Sequence, residues 1–149
     1  MKKFAVLFAL IVLTASSSFA QIFKPVKWEV ASKKTSKNEA VIFIKAVIDN
    51  GWHIYSQGVG EGGPIPTSFT FKPAKDFKLV GKTAEPKPLT KYENVFKMNV
   101  PYFDKQVVFQ QKVKLVNGKA VIKGTVEYMA CDKSRCLPPE EYDFAVTIK

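Results

Sequence analysis

Two cysteines, Cys131 and Cys136, are the only thiols of the chain, and they share one short stretch, Met129-Ala130-Cys131-Asp132-Lys133-Ser134-Arg135-Cys136-Leu137-Pro138-Pro139. Three chemistries suit such a pair: reversible disulfide exchange, an inert structural bridge, or capture of a soft metal. A bridge is expected to form within the chain, because no other cysteine competes. As a staple it is weak. So short a ring restricts the unfolded chain by only about 2 kcal/mol, against about 4.7 kcal/mol for a hundred-residue loop. Lys133 and Arg135 favour a thiolate and Asp132 opposes one, so the stretch does not reveal which way the thiol pKa moves. Met129 adds a thioether that, with two thiolates, would suit Cu(I). Two cysteines and one histidine do not complete a Cys/His zinc site without carboxylates, and neither a metal ligand nor a cofactor is assigned.

Two other features invite a chemical reading. Gly58, Gly60 and Gly63 match the G-x-G-x-x-G spacing that cradles a pyrophosphate when a strand leads into a helix. Pro64-Ile65-Pro66 follows and cannot open such a helix, so a tightly turned or flexible glycine loop is expected instead. His53, the lone histidine, is two residues from Tyr55, so on a strand both face one side. A core or edge role for His53 is the expectation, ahead of proton donation.

The elements that must position these residues are strands. The chain has 149 residues, 46% hydrophobic and 24% charged, with 2 Trp, 5 Tyr and 12 Phe, enough apolar mass for one compact core. Beyond residue 20 the apolar period is two. Val107, Phe109, Val113 and Leu115 alternate with polar residues, Asn117-Gly118 supplies turn chemistry, and Ala120, Ile122, Val126 and Tyr128 alternate again. Partners 115/120, 113/122, 109/126 and 107/128 share one register, which predicts a β-hairpin with a type I′ turn. Further strands are expected at Val26 to Ala31, Glu39 to Ile48, Trp52 to Tyr55, Ser68 to Lys72, Phe77 to Val80, Phe96 to Tyr102 and Tyr142 to Ile148. The last should place Tyr142, Phe144, Val146 and Ile148 on one side. Asp49-Asn50-Gly51 reads as a turn and Glu85 to Thr90 as a loop. Eight or nine short strands with turns between them predict an all-β, immunoglobulin-like antiparallel sandwich, with a closed barrel as the alternative.

Residues 1–20 stand outside that fold. Lys2 and Lys3 precede the apolar run Phe4 to Leu13, and Ser18-Phe19-Ala20 supplies the small residues of a signal-peptidase site, so cleavage is expected after Ala20. The run is shorter than the roughly 20 residues that cross a bilayer, so the domain of residues 21–149 is not expected to be membrane-embedded. Residues 1–20 carry two lysines and no acid, so their removal lowers the net charge from +10 to +8. Export, with a bacterial periplasm as the expected destination, permits disulfides. The lysines cluster only at Lys33 to Lys37 and are not interleaved with aromatic residues, which argues against nucleic acid and for a solvated face or docking onto an acidic partner.

Taken together, Trp52-His53-Ile54-Tyr55-Ser56-Gln57, Glu61-Gly62-Gly63-Pro64, Tyr92-Glu93-Asn94-Val95-Phe96 and Cys131 to Pro139, with its Cys-Leu-Pro-Pro-Glu ending, resemble the N-terminal periplasmic domain of the transmembrane thiol:disulfide interchange protein DsbD. The resemblance covers nearly all of residues 21–149. It implies an immunoglobulin-like sandwich acting as a protein-disulfide reductase or electron-relay component. A thioredoxin-like reductant charges the dithiol, which then reduces oxidised periplasmic proteins. The chain ends at Lys149 without a thioredoxin-like portion, so the reductant is expected to be a separate, membrane-tethered protein. By the same resemblance Cys136 forms the mixed disulfide and Cys131 resolves it. Phe96, or failing that Tyr92, matches an aromatic cap over the cysteines, and Tyr55 is a further substrate-contact candidate.

Overall fold

The computed structural model describes residues 23–149, so the expected signal peptide and its cleavage after Ala20 lie outside the described residues. In chain order the strands are β1 (Val26–Ser36), β2 (Glu39–Ile48), β3 (His53–Tyr55), β4 (Ser68–Phe71), β5 (Phe77–Ala84), β6 (Leu89–Glu93), β7 (Met98–Asp104), β8 (Gln106–Leu115), β9 (Ala120–Tyr128), β10 (Ala130–Cys131) and β11 (Glu140–Ile148). They form three antiparallel sheets ordered β1-β2-β8-β5, β10-β3-β7-β6 and β11-β9-β4. The arrangement is an immunoglobulin-like sandwich without barrel closure.

Alternation explains the core. Along β2, Ala40, Ile42, Ile44, Ala46 and Ile48 are buried, and along β11 Phe144, Val146 and Ile148 are, because successive strand residues face opposite sides. Phe109 of the first sheet, fully buried, is where the sheets meet. Its ring lies 4.8 Å from Phe69 of the third sheet and 5.7 Å from Phe103 of the second. Each fully buried side chain of this kind contributes about 1.5–3 kcal/mol.

The hairpin expected across Asn117-Gly118 does not form. β8 has both edges occupied, by β2 and β5, and β9 is paired with β11 and β4. The residues named for it are buried, yet they face one another from two different sheets. An alternating pattern states which face is apolar. Two such faces are satisfied equally well side by side in one sheet or opposed across a sandwich. Gly118, at φ 70°, turns the chain between the layers, with Leu115 N donating to Asn38 O and Val116 N to Asp76 O. The Asp49-Asn50-Gly51 turn is present, with Gly51 at φ 84°. The stretch read as a loop from Glu85 to Thr90 instead runs at its end into β6, an edge strand of the second sheet.

Candidate functional site

The second sheet has two unlike faces. Ile54 pairs with Phe103 and with Ala130, and all three enter the main core. One residue along, the pleat reverses. His53, Tyr55, Tyr102 and Cys131 therefore share the outer face, where Tyr55, Val100 and Cys131 seed a second buried cluster with Val59, Met98, Tyr102 and Met129. Cys131 sits directly opposite His53. The glycine loop after β3 lies against this cluster. A Cβ on Gly63 would come within 2.6 Å of Val59 Cγ1 and 3.3 Å of Met98 Sδ. The G-x-G-x-x-G spacing thus serves close packing on Met98.

The cysteine loop is a tight turn held by its own backbone. Asp132 N donates to Arg135 O (2.9 Å) and Leu137 N to Ala130 O (2.9 Å). Between these bonds Cys131 and Cys136 face each other as a non-hydrogen-bonded pair, the position where antiparallel strands come closest. Their Cα atoms are 4.0 Å apart and their sulfurs form a disulfide. Asp132 Oδ1 accepts from the amides of Ser134 (2.7 Å) and Arg135 (2.8 Å), which fold the turn and hold the Asp132 carboxyl below the usual carboxylate range. The Arg135 guanidinium lies 5.7 Å from the Trp52 ring centroid, joining the turn to the start of β3. Cys131 is only 1% exposed, whereas Cys136 is exposed.

Both sulfur-bearing residues line a cavity of about 330 Å³, together with Tyr55, Glu93, Val95, Phe96 and Met129. Val95 and Phe96 belong to the turn after β6, which reverses the chain into β7 with Lys97 at φ 52°. Phe96 is half-buried and Val95 is 83% exposed.

One wall of this region is polar and dehydrated. Tyr55 donates its hydroxyl to Glu93 Oε1 (3.2 Å), and that hydroxyl lies 3.3 Å from His53 Nε2. Lys91 Nζ reaches Glu93 Oε1 at 2.7 Å and donates to His53 Nε2 at 2.9 Å, so Nε2 is an acceptor and the ring proton is on Nδ1. Burial, and then the charge of Lys91, push the His53 pKa down to about 4, with Glu93 opposing, so the imidazole is neutral near pH 7. Burial raises the Tyr55 hydroxyl and the Glu93 carboxylate raises it further. Burial also works to raise Glu93, but the hydrogen bond and charge of Lys91 and the Tyr55 hydroxyl outweigh it and leave Glu93 below its ordinary value.

Of the residues singled out from the sequence, Cys131, Cys136, Phe96 and Tyr55 converge on the cavity. Tyr92 does not line it. Alternation along β6 turns Lys91 and Glu93 toward His53 and Tyr55 and leaves Tyr92 59% exposed on the opposite side. Met129 does line the cavity, as the soft-metal alternative requires, while the two cysteine sulfurs are bonded to each other. His53 is a buried residue of the outer face, 5% exposed. Lys91 was not singled out, nor was Glu93 given a role, because their partners lie 38 residues away in the sequence. The one available signal was alternation, Lys91 and Glu93 being two apart on a short strand.

Residues 21–148 match the family described as "Thiol:disulfide interchange protein DsbD, N-terminal". No curated protein matches the chain. Among solved structures, the N-terminal periplasmic domain of ScsB from Proteus mirabilis superposes with a TM-score of 0.59 at 17% identity, covering 85% of this chain and 47% of that one. The chain thus spans about half the length of that ScsB structure. The DsbD N-terminal domain of Neisseria meningitidis in its reduced form gives a TM-score of 0.51 at 16% identity, covering 79% of this chain and 83% of that one. A structure of the complex between the DsbD and PilB N-terminal domains of Neisseria meningitidis gives 0.55 at 15% identity, covering 84% and 87%. At these identities the superpositions establish a shared fold.

Proposed function

The chain belongs to the family of the N-terminal domain of the thiol:disulfide interchange protein DsbD, and on that premise we propose that it is a periplasmic disulfide-exchange module that passes reducing equivalents from a thioredoxin-like donor to oxidised exported proteins through Cys131 and Cys136. The observation that carries this reading is the unequal burial of the two cysteines, Cys136 exposed and Cys131 1% exposed. Exchange needs one sulfur that a partner can reach, to form the mixed disulfide, and a second beside it to resolve that bond, and unequal burial suits Cys136 to the first role and Cys131 to the second. The periplasmic location agrees with the family and with the periplasmic domain of ScsB.

Loading begins when a donor thiolate attacks the sulfur of Cys136. The donor–Cys136 bond forms, the Cys131–Cys136 bond breaks, and Cys131 leaves with the electron pair and is then protonated. A second donor thiolate attacks its own mixed-disulfide sulfur, which releases Cys136 as a thiolate and oxidises the donor to its disulfide. Delivery runs in the opposite sense. The Cys136 thiolate attacks an oxidised protein, and Cys131, deprotonated, displaces the reduced product and restores the bridge. Phe96 and Val95 line the cavity containing these sulfurs, so a partner must contact or displace the turn after β6. Leu137-Pro138-Pro139, next to Cys136, offers a stiff docking rim. The complex of the Neisseria DsbD domain with the PilB N-terminal domain supports engagement of a separate protein as the donor or acceptor.

Trapping tests the assignment. With its remaining cysteine first activated as a mixed disulfide with 5-thio-2-nitrobenzoate, which leaves as the thiolate, Cys131→Ala is expected to accumulate a covalent complex with a thioredoxin-like protein lacking its own resolving cysteine, and Cys136→Ala, treated alike, is not. Trapping by Cys136→Ala alone would reverse the roles. Absence of a complex from both variants would remove the relay reading.

A further inference from the structure

Glu93 places a carboxylate on the wall of the cavity that holds both sulfurs. A carboxylate there opposes the exchange proposed above, because the leaving sulfur belongs to a cysteine only 1% exposed and departs with a full negative charge. Two anions in a partly dehydrated site repel strongly. Lys91 answers that repulsion. Its Nζ lies 2.7 Å from Glu93 Oε1, donates at 2.9 Å to His53 Nε2, and stands 5.1 Å from the Tyr102 ring centroid. These contacts hold an ammonium group between Glu93 and His53, the residue directly opposite Cys131.

We propose that Lys91 is the counter-charge that allows Cys131 to leave as a thiolate, acting as a positioning residue that neutralises Glu93 beside the disulfide. The inference rests on the relay reading. Among the described residues, no other cation is paired with Glu93. His53 is neutral near pH 7, with burial and Lys91 itself keeping it so. Asp132 is compensated within its own turn, by the amides of Ser134 and Arg135 and by Arg135 Nε at 3.8 Å. Lys133 and Arg135 line the cavity while Lys91 does not, but both are exposed, where water and salt screen them, and Lys91 is the cation bonded to Glu93 itself. Asp104, opposite His53 on β7, does not line the cavity that holds the sulfurs. When the donor thiolate bonds to Cys136, the electron pair of the broken bond passes to Cys131. With Lys91 in place the wall it faces carries no net charge from the Lys91–Glu93 pair.

The test is the rate at which dithiothreitol, and separately thioredoxin, reduces the oxidised protein, together with an ultraviolet thiolate titration of Cys131 in a Cys136→Ala background. Lys91→Met is expected to slow reduction by dithiothreitol about threefold to tenfold, because a leaving thiol of higher pKa departs more slowly, and to raise the pKa of Cys131. Lys91→Arg should recover the rate relative to Lys91→Met. Removing the anion as well, in Lys91→Met/Glu93→Gln, should restore both the rate and the pKa, which a merely structural role for Lys91 would not produce. Equal rates for Lys91→Met and the parent, or a double variant as slow as the single one, would overturn the proposal. A parent protein reduced by dithiothreitol but not by thioredoxin-like proteins would count against the relay while leaving the Lys91 comparison intact.

Discussion

Cys131 lies directly opposite His53 across the β10–β3 pair, so the buried sulfur and the lone histidine share the outer face of the second sheet. The pair is the hinge between fold and chemistry. Ala130, one residue earlier, is in the main core, which fixes the strand in register and with it the direction in which Cys131 points. A slip of one residue would send the sulfur into the core and Ala130 to the cavity. Site precision here is therefore a by-product of core packing.

Reducing the disulfide should leave the sandwich folded. Cys131 and Cys136 already face each other across a backbone-bonded turn, and the short ring constrains the unfolded chain by only about 2 kcal/mol. Urea unfolding of the oxidised and reduced protein should differ by that amount or less, whereas complete unfolding on reduction would mark the bridge as a structural staple.

Phe96 and Tyr92 should separate in their effect on the sulfurs. Phe96 lines the cavity and Tyr92 is turned away. Phe96→Ala is expected to raise the rate of reduction by a small thiol several-fold, and Tyr92→Ala to leave it within error. Equal rates for both variants and the parent would remove the covering role of Phe96.

His53 makes stability depend on pH in a defined direction. Its imidazole has an ordinary pKa of 6.5, and burial, then Lys91, lowers it to about 4 in the fold. Between those values the unfolded chain binds more protons, so the contribution is complete above pH 6.5 and is lost as pH falls toward 4. The loss amounts to about 3 kcal/mol. Denaturant unfolding across that range should show the decline, and His53→Gln should flatten it. Glu93, held below its ordinary value, contributes its own loss at still lower pH.

Gly63 should not tolerate a methyl group. A Cβ there meets Val59 Cγ1 at 2.6 Å and the Gly60 carbonyl at 3.1 Å, the latter a backbone atom that cannot rotate away. Gly63→Ala is expected to cost about 1–3 kcal/mol by overcrowding the loop that packs on Met98. Thermal unfolding measures it. A melting temperature equal to that of the parent would show that the loop shifts freely.

By itself the sequence determined the all-β class, most of the strands, the cysteine pair and the family, because alternation, turn residues and the Cys-Leu-Pro-Pro-Glu ending are local signals. β2 runs Glu39–Ile48 as its apolar period predicts, and Tyr142, Phe144, Val146 and Ile148 share one side of β11. Tertiary structure decided which strands became neighbours. Val113 and Ile122 carry the same inward pattern whether they pair in a hairpin or face each other across the core, and only the competition for strand edges, won by β2 and β5 on one side and β4 and β11 on the other, settles it. β6 went unrecognised as a strand because its side chains are mostly exposed or polar and it sits at a sheet edge, where burial imposes little pattern. The cluster of His53, Tyr55, Lys91 and Glu93 belongs to the same class of fact: it exists only because β7 carries β6 alongside β3, bringing side chains 38 residues apart in the sequence within hydrogen-bond reach of one another beside a disulfide.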